Sequence, residues 1–131
     1  MSQNASRTIF GIHAAALEVR SRRMGVIASN IANAATPGFK ARDVDFAAAL
    51  EAKLAAGGAG RAGAGSGIGP ARMMREPDLL YRTPTMPSLD GNTVELAREQ
   101  LAFAENATRY SATLSFVKGK VSTLTRALKG E

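Results

Sequence analysis

The side chains able to do chemistry are few, and their spacing excludes most of it. One histidine, His13, and no cysteine are present. That leaves too few imidazoles for a zinc site or a Ser-His-Asp triad, and no disulfide, thiolate nucleophile or cysteine-ligated metal. Aspartates and glutamates are scattered, without the close pairing that acid–base work needs. Residues 55–69, AAGGAGRAGAGSGIG, invite comparison with a phosphate-binding loop, but the Gly-Lys-Ser/Thr ending is missing and no strand precedes them. What remains is a cationic cluster of Arg20, Arg22, Arg23, Lys40 and Arg42. Residues 1–42 hold six Lys and Arg against one acid, so +5 of the formal net charge of +6 lies there. Such a patch can grip phosphates, form a solvated helix face, or dock on an acidic protein. With no nucleic-acid-binding motif beside it, nucleic acid is not the expected partner. Neither catalysis nor a cofactor nor a metal is expected, so function must reside in contacts between surfaces.

The elements that carry those surfaces can be read from composition. The chain has 131 residues, the size of one domain, and is 45% hydrophobic, yet 25 of its residues are alanine, Trp is absent, and Phe and Tyr total seven. Burying a Leu or Phe contributes about 1.5–3 kcal/mol and an alanine far less. Alanine-rich helices that complete their packing on a neighbour fit this composition better than a self-sufficient globule. No apolar run approaches the roughly 20 residues needed to span a bilayer. Met1 to Phe10 lack the basic start and apolar core of a cleaved secretory signal.

Three segments follow. Residues 6–35 are predicted as an amphipathic helix with Ser6 as N-cap. Phe10, Leu17, Met24 and Ile31 recur every seven residues, and Ala14, Ile27 and Ala28 fill the same stripe. Asn30 and Asn33 are expected to hydrogen-bond at its end. Thr36-Pro37-Gly38-Phe39 then stops it as a type II turn, with positive φ at Gly38 and with Lys40 and Arg42 left in water. Residues 41–92 are expected to be irregular, with little β structure. A short helix is possible from about Asp45 to Ala55 and one extended segment at Leu79-Leu80-Tyr81. Residues 55–69 hold seven of the 13 glycines and are expected to form a flexible loop.

The third segment, 93–129, has the strongest periodicity. Positions 96, 100, 103, 107, 110, 114, 117, 121, 124 and 128 alternate spacings of four and three. They are Leu96, Gln100, Phe103, Ala107, Tyr110, Leu114, Val117, Val121, Leu124 and Leu128. Nine of these ten are apolar, which is the seam of a coiled coil over more than four heptads. Asn92 with Glu95 three residues later has the spacing of a capping box. Gln100 either sets register or reaches solvent. Gly25 and Gly119 each cost a helix about 1 kcal/mol against Ala, and either allow a neighbour close or are merely tolerated. At about 1.5 Å per residue the two helices reach roughly 45 and 54 Å and can lie side by side.

Residues 28–40, ASNIANAATPGFK, resemble the N-terminal signature of the bacterial flagellar axial proteins, the family of rod, hook and hook-associated subunits. The motif residues are Asn30, Asn33, Thr36, Pro37, Gly38, Phe39 and Lys40. The continuation ARDVDF (41–46), DGNTVEL (90–96), Glu105-Asn106 and Arg109-Tyr110 resemble the proximal rod branch. The likeness covers roughly residues 8–50 and 72–128 and leaves the glycine-rich stretch as a variable insert. Ala35 departs from it, because an acidic residue commonly stands there. The resemblance implies a single-domain rod subunit: a mainly α protein with long terminal helices packed as an antiparallel-type coiled coil or helical hairpin around a variable middle. It further implies export through the flagellar type III apparatus without a cleaved Sec signal, helical assembly in the periplasm, and contact with other rod proteins and the MS ring or rod adaptor. Two other classes fit parts of the sequence. A basic helical nucleic-acid binder would use Arg20, Arg22, Arg23, Lys40 and Arg42, with steep salt dependence. A cytoplasmic coiled-coil adaptor would use the 96–128 seam as a simple dimer.

Overall fold

The chain folds as an antiparallel pair of long helices with a small α/β cap packed at one end. The computed structural model describes residues 2–59 and 79–130. Helix α1 runs Ser2–Ala32, strand β1 Arg42–Val44, helix α2 Phe46–Ala59, strand β2 Leu79–Tyr81 and helix α3 Leu96–Lys129. Contacts Asn30–Glu99, Arg20–Asn106 and His13–Phe116 descend along α1 as they ascend along α3, which makes the pair antiparallel.

The ends of the elements follow local chemistry, though not always as the sequence suggests. Helix α1 begins at Ser2, inside the segment before Ser6, so Ser6 is not its N-cap. It stops at Ala32, and the next residues tighten into turns, Ala34 N–H to Ile31 O and Thr36 N–H to Asn33 O. Helix α2 is capped by Asp45, whose Oδ1 accepts the amides of Ala47 at 3.0 Å and Ala48 at 3.2 Å. It continues through Gly57 and Gly58 to Ala59, so the first residues of the expected glycine-rich loop are helical. The rest of that loop, residues 60–69, lies outside the described residues. Helix α3 starts at Leu96 after Glu95, which makes no side-chain cap bond, so Asn92 and Glu95 do not form a capping box. Both side chains are committed elsewhere. At its far end Gly130 has φ +74°, and its N–H bonds to Arg126 O.

Strands β1 and β2 pair antiparallel, with Asp43 opposite Leu80. The Leu79–Tyr81 segment was expected to be extended; β1 carried no period long enough to announce it. Val19 and Val26 of α1 pack with Val44 of β1 and Ala49 of α2, and half-buried Phe46 and Leu79 close over them. This cluster lies round α1 from the stripe Phe10, Leu17, Met24 and Ile31, whose side chains are half-buried, while Ala14 and Ala28 are exposed. Ile27 is fully buried. The heptad reading followed the largest apolar side chains. The packed face instead alternates valines with Arg23 and Asn30, and those polar residues hide its period.

Candidate functional site

At the capped end, three polar groupings tie the N-terminal signature to the segment before α3. The first is the turn. Phe39 N–H bonds to Thr36 O at 3.3 Å and Gly38 has φ +73°, the features of a type II turn with Pro37 and Gly38 at its centre. The second is a lacing between this turn and residues 90–93. Gly38 N–H donates to Asp90 O at 2.9 Å, Thr93 N–H to Phe39 O at 2.9 Å, and Ala41 N–H to Thr93 Oγ1 at 2.7 Å. Lys40 Nζ reaches Gly91 O at 2.7 Å, so Lys40, although exposed, is not simply left in water. Buried Asn92 sits at the centre. Its Nδ2 donates to the carbonyls of Asn33 (3.0 Å), Ala34 (2.9 Å) and Thr36 (2.9 Å), while Oδ1 accepts Val94 N–H. One amide thus gives Ala34 O a partner where α1 ends and adds a second bond to Asn33 O and Thr36 O, which already accept turn amides.

The third grouping runs across the hairpin. Asn30 donates to Arg42 O at 2.6 Å and accepts Arg42 N–H at 3.1 Å, the two-bond pattern of a neighbouring strand, so the α1 side chain covers the outer edge of β1. Its Nδ2 also donates to Glu99 Oε2 at 3.1 Å. Glu99, 1% exposed, meets Arg82 at 3.3 Å, and Arg82 meets Asp43 at 2.6 Å. Asp43 also takes the fork of Arg23 at 2.8 and 2.9 Å. Two cations and two anions cancel, and α1, β1, the residue after β2 and α3 are joined through them. Burial pushes the Asp43 carboxyl up, but the Arg23 hydrogen bonds, the Val44 amide and the charges of Arg23 and Arg82 together hold it below the usual range. Farther along, buried Asn106 donates to Arg20 O at 2.8 Å.

The arginines that made the N-terminal part look like a docking patch are therefore largely spent within the chain. Arg20, Arg22, Arg23 and Arg42 are half-buried. Arg20 lies 4.5 Å over the Phe46 ring, and burial, with Arg109 and Arg23 nearby, lowers its pKa. His13 is half-buried, with its ring centroid 4.8 Å from that of Phe116. Among the described residues no three His, Cys, Asp or Glu side chains are placed to hold a metal, and no helix is long and apolar enough to cross a membrane.

The second surface is the row of seam residues on α3. Tyr110, Leu114 and Val117 are half-buried against α1, but Leu96, Phe103, Val121, Leu124 and Leu128 are exposed. Gln100 is exposed too, which favours its solvent-facing reading. The α3 face turned into the hairpin carries Glu99 and Asn106 instead, one position before Gln100 and Ala107 of the apolar row. Sequence periodicity missed both because it counts only apolar residues. Only the resemblance at Glu105-Asn106 marks Asn106 in the sequence. A Cβ at Gly25 or Gly119 would meet nothing within 4 Å, so packing inside the chain explains neither glycine. From Lys118 to Gly130 every residue is exposed.

The laced turn ties the end of α1 to the approach to α3, an apolar row stands open on the hairpin, and among the described residues no metal-ligating cluster accompanies them. Comparison with known proteins agrees. Residues 10–40 match the family model described as flagella basal body rod protein. The chain is 46% identical over 125 residues to the flagellar basal body rod protein FlgB of Cereibacter sphaeroides, covering 95% of this chain and 97% of that one. It is 48% identical over 124 residues to FlgB of Aeromonas hydrophila, covering 93% of each. Against FlgB of Salmonella typhimurium the figure is 39% over 122 residues, 88% of each chain. All three relatives are structural rod proteins by description, and their likeness spans both terminal helices and the turn that joins their ends, so this chain belongs to the FlgB family of flagellar basal body rod proteins.

Proposed function

We propose that this structural rod subunit assembles helically through its two terminal helices, using the seam that α1 leaves half open. The observation that supports this is the exposed run of Val121, Leu124 and Leu128, 51%, 47% and 89% accessible, continuing the row beyond half-buried Tyr110, Leu114 and Val117. Heterologous contacts, in which one surface meets a different surface of the next subunit, generate open helices and suit an axial rod. In this reading the chain passes unfolded through the flagellar type III apparatus without a cleaved Sec signal. It stands in the periplasm between the MS ring or rod adaptor and other rod proteins, and carries torque toward the hook. Its lack of cysteine suits an oxidising compartment.

The test is Val121→Asp. Because Val121 is half exposed in the single chain, the substitution should change the stability of the isolated protein by no more than about 0.5 kcal/mol. In an assembled seam it would bury an unpaired charge, at a cost of several kcal/mol. Cells carrying only this variant should express and export the chain yet fail to swim and lack rods in purified basal bodies. Normal rods would refute the proposal. Leu114→Asp is a weaker test, since Leu114 is half-buried within the chain and its loss would also disturb folding.

A further inference from the structure

We infer that the open end of the hairpin docks an acidic amphipathic helix from a different protein, with Lys118 and Lys120 choosing the partner; this rests on the assembly reading above. In the heptad defined by Leu114, Val117, Val121, Leu124 and Leu128, Lys118 follows one seam position and Lys120 precedes the next. They therefore flank the seam on its two sides, at the positions where charges select coiled-coil partners. Both are exposed, and Lys120 Nζ lies 5.6 Å from the Phe116 ring centroid. Arg126 and Lys129 stand in the last turn, where they complement the helix dipole. The dipole does not account for Lys118 and Lys120, which lie more than two turns before the helix end at Lys129.

Among the described residues, this end of the molecule holds no carboxylate. No acid occurs between Glu105 and Glu131, and none precedes Glu18 in the antiparallel helix. A second copy is poorly suited to supply it, because most of the carboxylates among the described residues are engaged. Glu18 pairs with Lys53, Asp43 with Arg23 and Arg82, Glu99 with Arg82, and Glu105 with Arg109. Glu95 binds Thr85 and Arg98, and Asp45 caps α2. A lipid surface fits less well than a helix. The apolar row is a single residue wide, bordered by Ser122, Thr123 and Thr125, and lacks the broad Trp- and Phe-bearing face of interfacial helices.

The experiment uses the full chain and two labelled designed helices of four heptads, identical in their Leu and Val seams. One carries Glu at both flanking positions and the other Lys, with binding read by fluorescence anisotropy. The Glu helix should bind about tenfold tighter at low salt, and the preference should fade at high salt. Lys118→Glu/Lys120→Glu should invert it. Equal binding of both helices would overturn the inference. So would competition by phosphatidylglycerol vesicles that exceeds competition by the Glu helix, or a self-association of the chain that this double substitution abolishes. In cells the two readings separate. Rods lost with Val121→Asp but normal with Lys118→Glu/Lys120→Glu overturn the acidic partner alone; rods normal in both overturn the assembly reading as well.

Discussion

At the scale of single residues, the chain invests its buried polar groups in geometry. Asp43 holds two arginines from different elements, so its ionisation is coupled to the whole cap. Its pKa is depressed in the folded chain, because the arginine bonds and the Val44 amide outweigh the cost of burial. A depressed carboxylate contributes stability that is complete above the unfolded value, about 3.9, and is lost as pH falls through the lower folded value. Asp43→Asn should therefore destabilise the chain near neutral pH by about 1.5–3 kcal/mol, the worth of hydrogen bonds to a charged group. The gap between the two melting curves should narrow once pH drops below about 4. A gap of constant size from pH 7 to pH 3 would show that shape, and not charge, carries the effect. Gly38 is the other residue whose identity is set by geometry. Open space surrounds the position of its missing Cβ, so any penalty there comes from the backbone alone. With φ at +73°, Gly38→Val should cost about 1–2 kcal/mol or more, whereas Gly38→Asn, which tolerates left-handed backbone, should be milder. Thermal melts of the two variants check the order, and equal melting temperatures would mean the turn relaxes to another form.

At the scale of elements, the two long helices were legible from the heptad spacing and the Pro37-Gly38 stop, and their antiparallel-type packing from the family resemblance. Their inner faces were not. Apolar periodicity finds a seam, but the hairpin interior is built around Asn30, Glu99 and Asn106, which hydrogen-bond across it and read as surface residues when only hydropathy is weighed. Asn92 illustrates the same limit. Its spacing to Glu95 matched a local cap, yet a capping box satisfies amides of its own helix, and this side chain closes the end of a helix 60 residues earlier in the chain. The competing long-range partner had no local trace. Strand β1 was missed for a related reason: three residues are too few to display a period of two, and its edge is completed by a side chain of α1. The N-terminal arginines looked like a surface for a partner because the carboxylate and the ring that engage them lie about twenty residues away in sequence. The family resemblance, by contrast, pointed at the right pieces. The two quoted motifs, residues 28–46 and 90–96, are the strands of chain that the turn and Asn92 lace together.

At the scale of the whole molecule, stability is distributed unevenly along the hairpin. Among the described residues the buried apolar side chains are few and small: Val19, Val26, Ile27, Val44 and three alanines. All of them lie on α1 from Ala16 onward, on β1 or its preceding residue, or on α2, beside the polar grouping. The other end has the exposed row Val121, Leu124 and Leu128, two helical glycines within reach at Gly11 and Gly119, and, among the described residues, cations without carboxylates. Isolated helical ends are marginal in water, since packing and not propensity supplies most helix stability. The free chain should therefore open from that end in, while the cap persists as the more stable unit. Neighbours that bind only the ordered hairpin would add stability by mass action, about 2.7 kcal/mol at a hundredfold excess over the dissociation constant. Hydrogen exchange on dilute protein, followed by mass spectrometry, gives the comparison. Amides of residues 111–129 should exchange fast, and those of 19–32 and 97–107 slowly. On adding an assembly partner, protection should spread down α3 toward Lys129. If α3 were instead protected evenly along its length in the free chain, the hairpin would be self-sufficient, and the open seam would not be what holds back its order before assembly.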